Sequence, residues 1–376
     1  MKLTITSLTA VLFAVSVTAK ISIIDSEDAS KIYPYGLKLG PKAEGASVDP
    51  DGVIYATDGS DIINLRNGSI ALKGPGSYSD NPTSWLSSAR FLPQSGELIA
   101  GDAVGHRVFF VQKGQKTNQA ETLFHSDKFL QPNDIAVTRC ARFLYFSGMN
   151  YTADSIAGVD GELAWLDLWS PTIGCGQELH KVSKEVLAQG QVYRSNGIEI
   201  VEQGGNEYLY LTSAQNKNFT VISTLVTRFE LDKTTGEPKN PKVVLDIAKY
   251  IEEQTQRKIT QQSIIKAGMD PDGMRADIAG NLYLTLNAYQ KVLRWNTVTG
   301  DGVLVNLKTV AFPTNLELGG PKGDEVYVIG KCEGNKVSCI DVIKFKDSHP
   351  GRAFTFLQKL QAKTWEERTP GLEGEG

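Results

Sequence analysis

The chain has 376 residues, with 39 Lys and Arg against 43 Asp and Glu, for a net charge of −4. Signs are mixed along its length, so it carries neither the basic footprint of a nucleic-acid binder nor a polybasic membrane patch. Its 36 glycines and 15 prolines are spread throughout, which suits many short strands joined by tight turns.

Residues 1–19 read as a leader. Lys2 gives a charged start, Leu8 to Val17 an apolar core, and Val17-Thr18-Ala19 a small-residue cleavage site. The apolar run is short for a membrane span, and no later stretch reaches about 18 apolar residues. The mature chain is therefore expected to be secreted, with retention as an uncleaved anchor the alternative. Residues 20–360 read as one domain. Residues 361–376, charged and Gly-rich beyond Trp365, read as a flexible tail.

Lys20 to Ile24, KISII, is a short strand ahead of the first repeat. In a ring of blades such a strand completes the last blade and removes a free edge, and that role is assigned to it. From Glu44 one pattern recurs: an oxygen-bearing residue, an apolar run, a Gly-containing turn, then an apolar-Tyr-apolar strand ending in a small residue. Glu44 opens EGASVDPDGVIYAT, and a weaker copy, ARFLPQSGELIAG, starts at Ala89. Asn133 opens NDIAVTRCARFLYFS and Asn196 opens NGIEIVEQGGNEYLYLT. Asp270 to Asn287, DPDGMRADIAGNLYLTLN, is the clearest copy, and Asn315 opens NLELGGPKGDEVYVI. Tyr55, Ile99, Tyr145, Tyr210, Tyr283 and Tyr327 hold one place in it, roughly 44 to 73 residues apart. The expected fold is all-β, a six-bladed β-propeller with one copy per blade and a central metal site.

Blade three carries an insertion between Met149 and Gly161 and a second loop holding Cys175; blade four has an insertion after Thr212. Between blades four and five, DIAKYIEEQTQRK places Ile247, Tyr250 and Ile251 at helical spacing, predicting a short surface helix. Four cysteines in a secretory chain fit two disulfides. Cys332 and Cys339 flank a hairpin tip with Gly334-Asn335 at its turn, so they are expected to pair, leaving Cys140 with Cys175. Sequons at Asn67, Asn150 and Asn218 are expected on surface loops, where glycosylation requires them.

In a propeller the innermost strand of each blade lines the channel, and the residues just before it sit at one mouth. Glu44, Asn133, Asn196 and Asp272 hold this place in four blades and are expected to converge there. Any one of them alone is an ordinary turn or loop residue. Together, two carboxylates and two amides form an all-oxygen set suited to a hard cation such as Ca2+. The lack of Cys and His among them argues against zinc or copper.

Glu44-Gly45, Pro132-Asn133-Asp134, Ser195-Asn196-Gly197 and Pro271-Asp272-Gly273-Met274 resemble the gluconolactonase and regucalcin (senescence marker protein) family. Diisopropylfluorophosphatase, paraoxonase and strictosidine synthase are its relatives. The resemblance spans roughly Ala43 to Phe345. It implies a six-bladed propeller with one catalytic divalent cation, usually Ca2+ (Zn2+, Mn2+ or Mg2+ being alternatives), that hydrolyses lactones or related esters. Asp272 is then the general base or the nucleophile, Glu44 and Asn196 are ligands, and Asn133 is a ligand or substrate contact. Asp134, His106 and Asn315 are candidate substrate contacts. The expected partner is a small lactone or ester, with no nucleic acid or membrane, and the protein is expected to be a monomer. The chain departs from the paraoxonases in its histidines, which are only His106, His125, His180 and His349. Competing readings are phosphoester hydrolysis or a strictosidine-synthase-like condensation on the same scaffold, and a non-catalytic binding propeller.

Overall fold

The computed structural model describes residues 21–40, 42–74, 84–93, 95–112, 120–168, 178–255, 269–334 and 337–361. Two short strands, β1 (Ser22–Asp25) and β2 (Glu27–Asp28), precede the first repeat. Blade one follows with β3 (Ala46–Val48), β4 (Ile54–Thr57), β5 (Asp61–Asn64) and β6 (Ile70–Lys73). Blade two has β7 (Leu86–Phe91), β8 (Leu98–Asp102), β9 (Arg107–Val111) and β10 (Glu121–His125). Blade three has β11 (Ile135–Val137), β12 (Phe143–Met149), β13 (Gly161–Asp167) and the two-residue β14 (His180–Lys181). Blade four is the longest, with β15 (Arg194–Gln203), β16 (Asn206–Lys217), β17 (Thr220–Leu231) and β18 (Pro238–Asp246). Blade five has β19 (Asp270–Ala276), β20 (Asn281–Asn287), β21 (Lys291–Asn296) and β22 (Gly302–Asn306). Blade six has β23 (Val310–Gly319), β24 (Glu325–Cys332) and β25 (Ser338–Ile343), with β2 as its fourth strand.

The innermost strands β3, β7, β11, β15, β19 and β23 neighbour one another in turn, and β23 returns to β3, closing the six-bladed β-propeller. Six apolar clusters fill the six gaps between adjacent blades. One, for example, joins Tyr210 and Val226 of blade four to Met274 and Leu284 of blade five. Burial of these faces is the main favourable term holding the ring together.

The ring closes differently from the sequence expectation. Ser22 to Asp25 pair in parallel with Val303 to Asn306, so β1 extends blade five, not the last blade. The next residues complete blade six, with Glu27 opposite Val342. Ser26 is the pivot: its N–H donates to the Asn306 carbonyl (3.0 Å) and its hydroxyl to Asp341 (2.9 Å). A chain that turns here satisfies both sheet edges instead of one.

The predicted helix is present as α2, after α1 (Lys184–Gln189): α2 spans Ile247–Thr255, with Ile247, Ala248 and Ile251 buried. The sequence reading missed α1, whose first turn is capped by the Ser183 hydroxyl accepting from the Val186 N–H. It also missed α3 (Arg352–Gln361), which begins inside the expected domain and ends on the first residue of the expected tail. Phe354, Phe356 and Leu357 of α3 are buried, and Arg352 donates to the Val137 carbonyl (2.8 Å) at the end of β11. The helix therefore covers the mouth opposite the one that the repeats open on.

Cys332 and Cys339 form the expected disulfide, with Cα atoms 5.1 Å apart. Cys175, the partner expected for Cys140, lies outside the described residues, as do the expected leader and the expected tail after Gln361. Asn67, Asn150 and Asn218 are all exposed. Replacing both Cys332 and Cys339 by Ser is expected to cost about 2–3 kcal/mol, the loop-closure entropy of a short bridge. The blade should stay paired through the β24–β25 ladder, so denaturant unfolding should shift to lower midpoint without loss of native circular dichroism.

Candidate active site at the open channel mouth

The inner strands begin irregularly, and the irregularity places the site. Register shifts fall between Ser195 and Ile198, between Pro271 and Met274, between Leu86 and Ser88, and between Pro313 and Asn315. A bulge frees a residue from the ladder and re-aims its side chain. Asn196 and Asp272 occupy these bulges. In blades one and three the equivalent residues sit just ahead of the strand. There the Glu44 N–H donates to the Thr57 carbonyl (3.2 Å) and the Asn133 N–H to the Ser147 carbonyl (2.8 Å).

Glycine lets neighbouring blades close in at this level. A Cβ on Gly197 would lie 2.3 Å from the Asp272 carbonyl oxygen, and one on Gly273 2.4 Å from the Asn315 side chain. Neither neighbour could yield without moving a site residue or its support.

Three of the four expected residues are joined by hydrogen bonds. The Asn133 amide donates to Asn196 Oδ1 at 2.5 Å, and Asn196 hydrogen-bonds Asp272 in turn. Asn287, one strand outward on β20, donates to Asp272 Oδ2 at 3.0 Å. Glu44 faces the same group. Burial first, then the charges of Glu44 and Asp270, hold the Asp272 carboxyl well above the usual carboxylate range, while Asn287 and Asn196 pull it down. Burial likewise raises Glu44, opposed by the Lys331 ammonium and reinforced by Asp134. The buried Asp272 carboxyl and the half-buried Glu44 carboxyl repel each other, and with the two amides they form an oxygen cluster short of positive charge. That donor set suits a hard divalent cation. Among the described residues no three His, Cys, Asp or Glu side chains gather as a metal-holding group.

The remaining expected residues take other partners. Asp134 is turned into the channel and held by Arg275 at 2.8 Å. Asn315 accepts from the Leu316 N–H and packs on Gly273, bracing the turn that carries Asp272. His106, at positive φ in the β8–β9 turn, meets the Phe129 carbonyl at 2.5 Å, which ties blade two to the entry of blade three.

Two sets of residues escaped the sequence reading. Lys331 on β24 is the cation that opposes the rise at Glu44. Deeper in the channel lies a buried ionic layer: Arg90 meets Glu317 (3.2 Å) and Glu199 (3.4 Å), and Arg275 meets Asp134 (2.8 Å) and Glu317 (3.2 Å). Arg352 of α3 approaches Glu199 from the far side at 3.8 Å. A signal for this layer was available. Arg90, Glu199, Arg275 and Glu317 are the cross-strand partners of Ile99, Tyr210, Tyr283 and Tyr327, the residues that define the repeat. The layer and α3 together close the channel below the oxygen cluster, leaving one open mouth.

Solved structures share this architecture at low identity. A luciferin-regenerating enzyme superposes with a TM-score of 0.59 at 14% identity, covering 86% of this chain and 96% of its own. A calcium-binding protein, regucalcin, from Agrobacterium tumefaciens gives 0.57 at 15% identity, covering 88% and 98%. A gluconolactonase from Xanthomonas campestris gives 0.54 at 12% identity, covering 88% and 93%. Comparison with curated protein sequences finds no match. The family model described as "SMP-30/Gluconolactonase/LRE-like region" matches residues 76–330, which takes in Asn133, Asn196 and Asp272 and leaves Glu44 to its N-terminal side. With about two thirds of its length matched by that model, the chain belongs to the SMP-30/gluconolactonase/LRE-like family.

Proposed function

We propose that this protein is a secreted, divalent-cation-dependent hydrolase of lactones or related esters, with Ca2+ as its preferred ion. The observation that carries the reading is the gathering of Asn133, Asn196 and Asp272, with Glu44 facing them, at the open end of a channel closed below. Family membership and the gluconolactonase among the similar folds support the substrate class. The regucalcin described as calcium-binding supports the ion. Secretion rests on the leader ending at Ala19 and on the Cys332–Cys339 disulfide.

Glu44, Asn133, Asn196 and Asp272 would hold the cation. When bound, it would supply positive charge against the oxygen on which negative charge grows during attack at the carbonyl. Asp272 takes the proton of the attacking water or attacks the carbonyl carbon itself. Asn287 fixes the Asp272 carboxylate through its 3.0 Å hydrogen bond, and Asn133 orients Asn196. The closed channel floor keeps bulk water from reaching the cluster from behind, which strengthens every charge interaction at the mouth.

The test is a panel of small lactones and aryl esters, assayed on the purified chain before and after chelation, then after adding back Ca2+, Zn2+, Mn2+ or Mg2+ singly. Hydrolysis should disappear on chelation and return best with Ca2+. Full turnover in chelator, cleavage of phosphoesters alone, or no cleavage of any substrate would each overturn the reading.

A further inference from the structure

The two insertions flagged in blades three and four do not hang separately over the mouth. They interlock. The Phe219 N–H donates to the Ala153 carbonyl (2.9 Å), the Asn218 N–H to Asp154 (2.9 Å) and the Asn216 N–H to Ser155 (2.7 Å). The Asn216 side chain reaches the Thr152 carbonyl at 3.0 Å. The result is one braced wall rising from the rim between β12 and the β16–β17 hairpin.

At its crest Tyr151 and Phe219 stack, with ring centroids 6.3 Å apart and planes 19° apart. They are 62% and 63% exposed, so the wall presents aromatic surface to solvent instead of burying it. The Arg194 guanidinium lies 4.6 Å from the centre of the Tyr151 ring and bonds Asp270 at 2.7 Å. Arg194 and Asp270 each stand two residues before a residue of the oxygen cluster, Asn196 and Asp272. The aromatic pair is thus tied through Arg194 and Asp270 to the two strands that carry Asn196 and Asp272.

Phe219 also sits where its backbone argues against it. Asn218 (φ 50°) and Phe219 (φ 58°) are the two central residues of the β16–β17 turn. A two-residue hairpin turn with both φ values positive favours Asn-Gly, and a bulky side chain at the second position is strained. Strain retained next to a site is a pointer to function. Here the strained residue is the one that holds out an exposed ring.

We infer that Tyr151 and Phe219 form a recognition platform for the non-reacting part of the substrate, and that this part is an apolar aryl group stacking on the free face of Phe219. The inference rests on the hydrolase reading for the word substrate, but its binding readout does not. Flat aromatic faces favour offset stacking with another aromatic ring.

The probes are 4-phenylbutanoate and butanoate, titrated calorimetrically into the full chain in Ca2+, with hydrolysis of γ-phenyl-γ-butyrolactone and γ-butyrolactone measured in parallel. The aryl acid should bind more tightly than butanoate, and Phe219→Gly should cut that preference about fivefold, the worth of one aromatic pair. Because Gly suits the backbone at this position, Phe219→Gly should unfold no earlier than the wild type, which separates recognition from packing. Tyr151→Ala should reduce the preference too. Asn218→Gln, which removes the sequon and keeps the ring, should leave it unchanged. Equal affinity for the two acids, or a preference undiminished in Phe219→Gly, would overturn the inference. Cleavage of both lactones with no aryl preference would leave the hydrolase standing without the platform; aryl-selective binding with no lactone cleaved would do the reverse.

Discussion

Asp272→Asn is expected to lower kcat/KM on any cleaved lactone by about a thousandfold or more, the range for losing a positioned base, while leaving the propeller folded. The substitution keeps the volume of a buried side chain. Its amide oxygen can still accept from Asn287, and one of two opposed carboxylates disappears. Near-native unfolding midpoint and circular dichroism should therefore accompany the loss. The comparison that gives this meaning is Glu44→Gln. If Glu44 acts as a ligand only, its variant should recover most activity as the cation concentration is raised, whereas Asp272→Asn should not recover at any concentration. Retention of turnover by purified Asp272→Asn would remove the assignment of Asp272, and identical cation rescue of both variants would reduce Asp272 to a ligand.

The sequence exposed the ring and the oxygen cluster because both repeat. Each blade restates its strand-turn-strand pattern, so Tyr145, Tyr210, Tyr283 and Tyr327 could be placed on second strands before any coordinates, and all four lie there. Glu44, Asn133, Asn196 and Asp272 then fell at the mouth by topology alone. Much of what does not repeat was illegible, the helix α2 and the Cys332–Cys339 disulfide excepted. β1 and β2 are short strands with little apolar pattern, and their division between blades five and six depends on the hydrogen bonds around Ser26. The helix α3 ends where the composition turns to the charged, Gly-rich tail, and its apolar face has meaning only against the floor of the channel. The ion-pair partner of Asp134 was not legible either, although its neighbour Asn133 faces the mouth. In extended backbone successive side chains point to opposite sides, and Asp134 turns instead to Arg275. The interlock of the two insertions had no sequence signal, because it joins backbone and side-chain groups of loops some 60 residues apart.

Arg275→Met should be the most destabilising single change in the channel, costing about 3–5 kcal/mol, as expected when one partner of a buried ion pair is removed. Arg275 is 1% exposed in its side chain and binds Asp134, Glu317 and the Ala46 carbonyl together. Without it, Asp134 has no cation in contact among the described residues. Glu317, already raised by burial, keeps only Arg90. The double variant Arg275→Met with Asp134→Leu should recover about 1–3 kcal/mol of that loss, since the stranded carboxylate goes too. A loss under about 1 kcal/mol for Arg275→Met would show that water or neighbouring groups satisfy these carboxylates and that the layer is not a tight network. Apolar packing alone could fill this space at less electrostatic cost, so the layer calls for a reason beyond stability. Geometry supplies one. Inner strands packed only by apolar contacts could slide along the axis with little penalty, whereas Arg90, Asp134, Glu199, Arg275 and Glu317 each come from a different blade and meet only when those blades share one height. Asp272 lies three residues before Arg275 on β19, so the pairing that sets blade five's height also sets the depth at which its carboxylate meets Glu44 and Asn196. Arg275→Met should accordingly lower kcat well beyond what its unfolded fraction explains, and Arg275→Lys, which keeps the charge but loses the forked contact to Asp134 and Glu317, should restore stability more fully than turnover.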